Sequence, residues 1–232
     1  NAVDTIQKTA ASANFKSGIL DIQTRAQNDP NYNNSEQYFR EVEKLKTDSL
    51  KGFKSKTAET EAAIEFGYDA KVAQIQIDNL YKKKMIDVGQ TSTLRLLDMA
   101  VKNPTPDSDN EIDSILGKQV NAGIFDNKDA YALSEKYKKQ AKYNQFLIDL
   151  HGSPAVAEEN LSKNAYGFDI KELSSAKGVY KTEVDKIQAV NQDQMLTDYL
   201  NGNPPDTAYI KQQMNDKKID PKFAESMIGK LN

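Results

Sequence analysis

The stretch "FLIDLHGSPAV", from Phe146 to Val156, holds the single histidine of this chain, with Asp149 two residues before it and Ser153 two after. Imidazole, carboxylate and hydroxyl are the groups of nucleophilic catalysis, which needs the hydroxyl activated by a base held in fixed geometry. Neighbours in sequence do not make such a pair. The chain has no G-x-S-x-G elbow for a serine nucleophile, and neither G-x-G-x-x-G nor a Walker A loop for nucleotide phosphates. Glu59, Glu61 and Glu65 crowd one segment, and Glu158 and Glu159 another. A ferritin-like metal site would need Glu-x-x-His on two helices, which one histidine cannot supply. A muramidase would need one carboxylic acid set in an apolar cleft, and no local pattern selects one. These glutamates read as solvated helix faces, with no catalytic, cofactor or metal residue assigned.

Basic residues give the clearest interaction signal. In "EKYKKQAKYNQF", Lys138, Lys139 and Lys142 alternate with Tyr137 and Tyr143, a mixture able to touch phosphates and stack on bases. Lys138, Lys139, Lys142 and Tyr143 are therefore the candidate nucleic-acid contacts, and Lys82, Lys83 and Lys84 form a second cluster after Tyr81. The competing reading turns Tyr137 and Ala141 to the core and leaves the lysines in water. The formal net charge of −3 favours weak, non-specific contact, because a dedicated nucleic-acid binder carries a basic field.

The segments that must position these groups read as helices. The chain has 232 residues, is 38% hydrophobic and 28% charged, and has a mean hydropathy of −0.72. Such polarity suits helices that each bury one stripe. No cysteine is present, which excludes thiolate chemistry and disulfides. No apolar run is long enough for a transmembrane helix, and the N-terminal residues lack the pattern of a signal peptide. Without an initiator methionine, the chain reads as a processed product or an ordered piece of something longer.

Phe15, Ile19, Ile22 and Ala26 keep helical spacing up to "NDPNYNNS". Ser35 is placed to cap a second helix carrying Phe39, Val42, Leu45 and Phe53, which Gly52 weakens without necessarily ending it. From Thr57 to about Val88 runs a long amphipathic segment with two apolar rows, Ile64–Tyr68–Val72–Ile75 and Phe66–Ala73–Ile77–Leu80. Two rows exceed what one partner helix covers, so self-association into a homo-oligomer is expected.

From Gly89 onward a repeat recurs three times: leucine, any residue, aspartate, a proline-bearing corner, a helix, then an apolar residue before an Asp or Asn cap. The units begin at Leu96, Leu147 and Leu196. Gly152 and Gly202 are expected to end helices in the left-handed conformation. Pro154 and Pro205 are expected in first helical turns, and Asn127, Asp169 and Asp220 at N-caps. The third unit has Asn201 where the second has His151, so the histidine corner reads as architecture. On that reading His151→Asn is silent, whereas Gly152→Val strains a residue with positive φ. The fold expected is all-α and extended rather than compact. Long coiled-coil-like helices occupy residues 1–88, and short helical-hairpin repeats occupy 89–232.

The run "IDSILGKQVNAGIFDNKDAYALSEKYKKQAKYNQFLIDLHGSPAVAEENLSKNAYGFDIKELSSA" resembles stretches of tailed-bacteriophage internal virion or ejection proteins. In these a helix ends at a leucine–aspartate corner, a short helix and an apolar–Asp cap follow, and a long charged helix comes next. "AGIFDNKDAYAL" is similar to the helix start of that family, and "DIQTRAQNDPNYNNSEQYFREVEKLKT" to its early part. The likeness spans about three quarters of the chain and brings no catalytic residues with it. It implies a non-enzymatic virion component in the capsid interior or the portal or tail region. Its partners would be copies of itself, portal or other internal proteins, weakly held DNA and, after ejection, the host envelope. The alternatives are a segment of a virion-associated peptidoglycan-cleaving enzyme, a tail or tape-measure helical protein, and a cytosolic coiled-coil adaptor without any phage connection.

Overall fold

A computed structural model describes residues 2–231, and among them every regular element is a helix: α1 Ala2–Asn28, α2 Ser35–Ser49, α3 Lys56–Lys102, α4 Ser108–Asn121, α5 Asn127–Gly152, α6 Pro154–Ser162, α7 Ile170–Leu200, α8 Thr207–Asn215 and α9 Pro221–Leu231. The chain is all-α, as its periodicity requires. Contacts divide it into two units. One holds the residues up to Ser92 with Asn121–Phe125, and the other holds Thr93–Val120 with Asp126 onward. The division falls inside α3, whereas the sequence reading puts it after Val88.

In the first unit α1, α2 and α3 run up, down and up. Lys8 bonds Glu61 at 2.7 Å, Ser12 bonds Glu65 at 2.9 Å and Gln23 bonds Gln76 at 2.5 Å, each pair 53 residues apart. A constant offset means parallel helices in fixed register. Arg25 bonds Glu41 and Lys54 N–H bonds Gln7, so α2 and its exit run antiparallel to α1. Phe15 and Phe66 are fully buried and stack at 4.5 Å between centroids. Val42, Ala62, Ala70, Ala73 and Ile77 complete this core. The alanines let helices come close, and Gly18 does so more sharply: a Cβ there would lie 2.6 Å from Leu45 Cδ2.

Only one of the two apolar rows on α3 is buried. Phe66, Ala73 and Ile77 face the core, while Ile64, Tyr68 and Ile75 are exposed. Gly52 has φ +92°, and α2 stops at Ser49. The glycine therefore ends the helical path instead of weakening it, because left-handed backbone cannot continue a right-handed helix. Ser35 is the first helical residue, and Asn34 holds the cap position.

The α1–α2 turn is locked onto α3 through Asp29. Its carboxylate accepts from Tyr81 Oη at 2.8 Å, Tyr38 Oη at 3.2 Å, Asn34 Nδ2 at 3.0 Å and Asn31 N–H at 2.9 Å. Lys84 Nζ donates to the carbonyls of Ala26 and Asp29 and lies 4.9 Å from the Tyr81 ring centre. The Asn31 N–H, then the Tyr81 and Asn34 donors, hold the Asp29 carboxyl well below the usual aspartate range. Burial, followed by the Asp29 charge, pushes the Tyr81 hydroxyl upward.

After α3, α5 and α7 have 26 and 31 residues while α4, α6, α8 and α9 have 14 or fewer, so the helices do not all shorten. α4, α6 and α8 end the same way. Gly123 (φ +73°), Asn164 (φ +48°) and Lys217 (φ +60°) each stand two residues past the last residue of α4, α6 and α8. A buried apolar residue follows: Ile124, Phe168 or Ile219. Asp126, Asp169 and Asp220 come next, each accepting backbone N–H groups of the next helix, and Asp169 completes a capping box with Glu172. Asp126 therefore caps α5 in place of the expected Asn127, which is the first helical residue.

Gly202 has φ +79° and ends α7 with Gly202 N–H on Tyr199 O and Asn203 N–H on Asp198 O. Gly152 does not match it. It is the last residue of α5, exposed, with open space where a Cβ would be, and the chain turns at Ser153 instead. Pro154 opens α6 as expected, but Pro205 precedes the Asp206 cap of α8 and lies outside the helix. The strain argument thus applies to Gly202 and lapses at Gly152.

Two outcomes follow from these contacts. A folded-state Asp29 pKa below the unfolded value of about 3.9 stabilises the fold fully above that pH, and the contribution is lost as pH falls through the folded value. In thermal melts the advantage of the parent over Asp29→Asn should be constant from pH 5 to 7 and shrink progressively below about pH 4. Gly178, in α7, is exposed with open space around it, so Gly178→Ala should stabilise by about 0.5–1 kcal/mol. Gly18→Ala should forfeit that gain against Leu45, which paired urea titrations of the two variants will show.

Candidate functional site

The basic segment lies on α5, whose buried face carries Ala130, Ser134, Tyr137, Ala141, Phe146 and Leu150 at helical spacing. Tyr137 and Ala141 point into the core, and the Tyr137 hydroxyl donates to Asp98 at 3.1 Å. Lys138 reaches Asp113 on α4 at 2.6 Å, an acceptor it shares with Ser134. Lys139 bridges to Glu172 at 3.0 Å and Asp169 at 3.5 Å, bracing the capping box of α7. The Asp113 hydrogen bond raises the Lys138 pKa, and the Glu172 hydrogen bond raises that of Lys139. Both charges are thus partly neutralised by the fold before any phosphate approaches.

Lys142 is placed differently. It lines a cleft of about 460 Å³ with Thr105, Asp109, Asp149, Asn160 and Tyr166. Tyr143 is at the edge of exposure and leans on Phe146, 5.8 Å between ring centres. The four candidate contacts therefore have separate structural surroundings. Two brace other helices, one faces a cleft that also holds two carboxylates, and one packs partly on an aromatic core. In the second basic cluster Lys82 pairs with Asp78 at 2.6 Å, and Lys84 is spent on the carbonyls under Asp29.

The carboxylates are likewise engaged. Glu61 pairs with Lys8, Glu65 with Ser12 and Lys16, Glu59 with Lys56, Glu159 with Lys163 and Glu158 with Lys217. Hydrogen bonds from Lys8 and Lys163 hold Glu61 and Glu159 below the ordinary range, opposite to what a general acid requires. Asp149, in the cleft, accepts from Tyr166 Oη at 2.6 Å, Gln145 at 2.8 Å and Asn160 at 3.1 Å.

A tyrosine–aspartate bond of the Tyr166–Asp149 kind accounts for the Leu-x-Asp motif in two of its three copies. Asp98 and Asp149, the motif aspartates of the first two units, each receive the hydroxyl of a buried tyrosine. Asp198, in the third, accepts from Gln194 instead. His151 is exposed on the last turn of α5. Ser153 donates to Asp216 at 3.1 Å, and Asp216 O accepts from Ala155 N–H, so the hydroxyl ties the start of α6 to the end of α8. Among the described residues no three His, Asp or Glu side chains converge as a metal site would need. No helix of the described chain is long and apolar enough to cross a membrane.

Sequence reasoning missed the amides. Gln188 and Asn191 on α7 donate to the carbonyls of Lys217 and Lys218, Gln192 accepts from Asp220 N–H, and Asn144 donates to Val101 O. Their only sequence signal is position on the long helix next to a buried face. Comparison with protein-family models, curated proteins and solved structures returned no match.

The geometry separates the lysines by role. Lys138→Ala should lower stability by about 0.5–1 kcal/mol through the lost Asp113 pair, because its side chain is only 21% exposed. Lys142→Ala should leave the melting temperature within about 1 °C while removing most of whatever weak DNA retention exists at low salt. Melts together with filter binding at two salt concentrations check both.

Proposed function

We propose that this chain is a non-enzymatic structural component of a tailed-phage virion, held inside the capsid or near the portal or tail and acting through helix–helix contacts. The observation that carries the reading is the thrice-repeated unit of short helix, left-handed residue, buried apolar residue and aspartate cap at Gly123, Asn164 and Lys217. Two of the units, closed by Asp126 and Asp169, lie in the run 112–176 whose short helix and apolar–Asp cap resemble internal virion and ejection proteins. Long helices with exposed apolar side chains suit packing against copies of itself or other virion proteins. The commitment of Ser153, Asp149 and the paired glutamates to structural partners supports a role without catalysis.

Any DNA contact in this reading is weak, non-specific and sensitive to salt, since Lys138 and Lys139 are already paired. Contact with the host envelope would follow ejection. Quantitative mass spectrometry of purified particles from the source virus tests the assignment. The chain should be present at a fixed copy number in full particles and depleted from particles that have released their genome. Abundance in infected cells with absence from particles would overturn it. Solubilisation of purified cell walls by the pure protein would favour the peptidoglycan-cleaving alternative.

A further inference from the structure

The sequence contains one Asn-Gly pair, Asn201–Gly202, and the fold sets it at the exit of α7. Asn201 is the C-cap, and Gly202 follows with φ +79°. Both are exposed, as are Leu200 before them and Asn203 after them. Two backbone bonds close the turn: Gly202 N–H on Tyr199 O at 3.2 Å and Asn203 N–H on Asp198 O at 2.9 Å. Among the described residues the side-chain amide of Asn201 makes no hydrogen bond. By contrast, Asn34 is held by Asp29 and Gln37, and Asn164 by both backbone groups of Phe168. The matching corner of the second unit has His151 before Gly152, so the third unit alone sets a side-chain amide against a glycine.

We infer that Asn201 is a self-modification site, which converts to aspartate and isoaspartate through a cyclic imide formed with Gly202. Water takes the proton from the Gly202 amide nitrogen, and that nitrogen attacks Asn201 Cγ. The new N–Cγ bond closes a five-membered ring. The Cγ–Nδ2 bond then breaks as solvent protonates the departing nitrogen, which leaves as ammonia. Water next adds to one of the two imide carbonyls. Opening at Cγ leaves a normal aspartate at position 201. Opening at the backbone carbonyl leaves an isoaspartyl link, in which the chain passes through Cβ and Cγ. The net reaction consumes one water and releases one ammonia, and nothing is oxidised or reduced. Glycine is the residue that permits it, because without a Cβ nothing shields the attacking nitrogen.

The fold slows this reaction without abolishing it. With ψ +5° at Asn201, the Gly202 nitrogen stands away from the Asn201 side chain, and its N–H is engaged by Tyr199 O. The last turn of α7 must therefore open before attack. Opening there costs little, since the turn is exposed at a helix end and has no basic side chain to hold its carbonyls. Either product then works against the turn. A carboxylate at 201 faces the negative end of the helix, close to Asp198. The isoaspartyl link adds a methylene to the backbone, so the Gly202 and Asn203 N–H groups lose their register with Tyr199 and Asp198. α8, which packs through Ile210 on Met195 of α7, is then joined by a loosened corner. This chemistry lies beyond the proposed virion role and holds for the chain in any setting.

Peptide mapping by mass spectrometry tests it, after incubation of the full chain at mildly alkaline pH in heavy-oxygen water. The peptide holding Asn201 should give two separable products of equal mass, each with one labelled oxygen in place of the amide nitrogen. Asn203 on the same peptide should stay intact, because Pro204 has no N–H to attack with. The reaction should run about tenfold slower in the folded chain than in urea, the factor set by opening a frayed helix end. Asn201→Gln should remove both products, since its ring would need a sixth member. An Asn201 that stays intact in the folded chain, equal rates with and without urea, or another asparagine reacting faster in the folded chain would each overturn it.

Discussion

The register between α1 and α3 is the constraint on which the first unit depends, and Asp29 is where it is set. A carboxylate with four donors converging on it fixes the turn after α1 against Tyr38 on α2 and Tyr81 on α3. Lys84 closes the end of α1 from the same side by taking two of its orphan carbonyls. With that end pinned, helices packed mainly through alanine and phenylalanine have one register in which Phe15 meets Phe66. Alanine contacts alone would tolerate slippage by a turn, because one alanine resembles the next. The polar hub supplies what the small-residue core lacks.

Helix ends govern the second unit in the same sense. A chain with this many ends exposes many unpaired N–H and C=O groups, and burying any of them unpaired costs about 1–3 kcal/mol. Aspartates at 126, 169 and 220 meet the N-terminal amides, and left-handed residues at 123, 164 and 217 turn the chain at the other end. Amide side chains of α5 and α7 collect carbonyls that remain. Between the caps, the edge-to-face contacts of Phe146 with Tyr166 and Phe168, and the cluster of Met195, Ile210, Ile219 and Met227, bury the apolar residues before Asp169 and Asp220. Lys217 sits in left-handed backbone that favours glycine, and the turn is closed by Lys217 N–H on Met214 O and Lys218 N–H on Gln213 O.

Polar residues that resemble chemistry in the sequence are mostly consumed by this architecture. Asp98 and Asp149 of the Leu-x-Asp motif satisfy buried tyrosines, Ser153 ties α6 to α8, and the lysine-rich run of α5 braces α4 and the cap of α7. A protein with narrow apolar stripes has to hold its helices with such bonds, since each stripe buries little area. Apolar side chains left exposed stand on α1 and α3, such as Leu20, Ile64 and Tyr68, and also on later helices, such as Tyr131, Ile170, Val190 and Leu200.

The sequence by itself determined the all-α class, the apolar stripes and the recurring apolar–Asp caps, because these rest on local periodicity and on the chemistry of one turn. Asp169, Asp220, Pro154 and Gly202 do what their residue types suggest, since a cap or a left-handed turn involves only a few neighbouring atoms. Tertiary structure decided everything in which two similar choices compete. Phe66–Ala73–Ile77 is the buried row of α3 and Ile64–Tyr68–Ile75 the open one, although both have helical spacing; the difference is where α1 and α2 lie. Gly152 and Gly202 look alike in sequence, yet only Gly202 turns left-handed, because the α5 exit is made at Ser153, held by Asp149 O and Asp216. Lys138, Lys139 and Lys142 are equivalent letters on one helix. Their separate roles come from Asp113 and Glu172, each 25 or more residues away in the chain, and from a cleft that the loop before α4 and helices α5 and α6 build together, which no local pattern encodes.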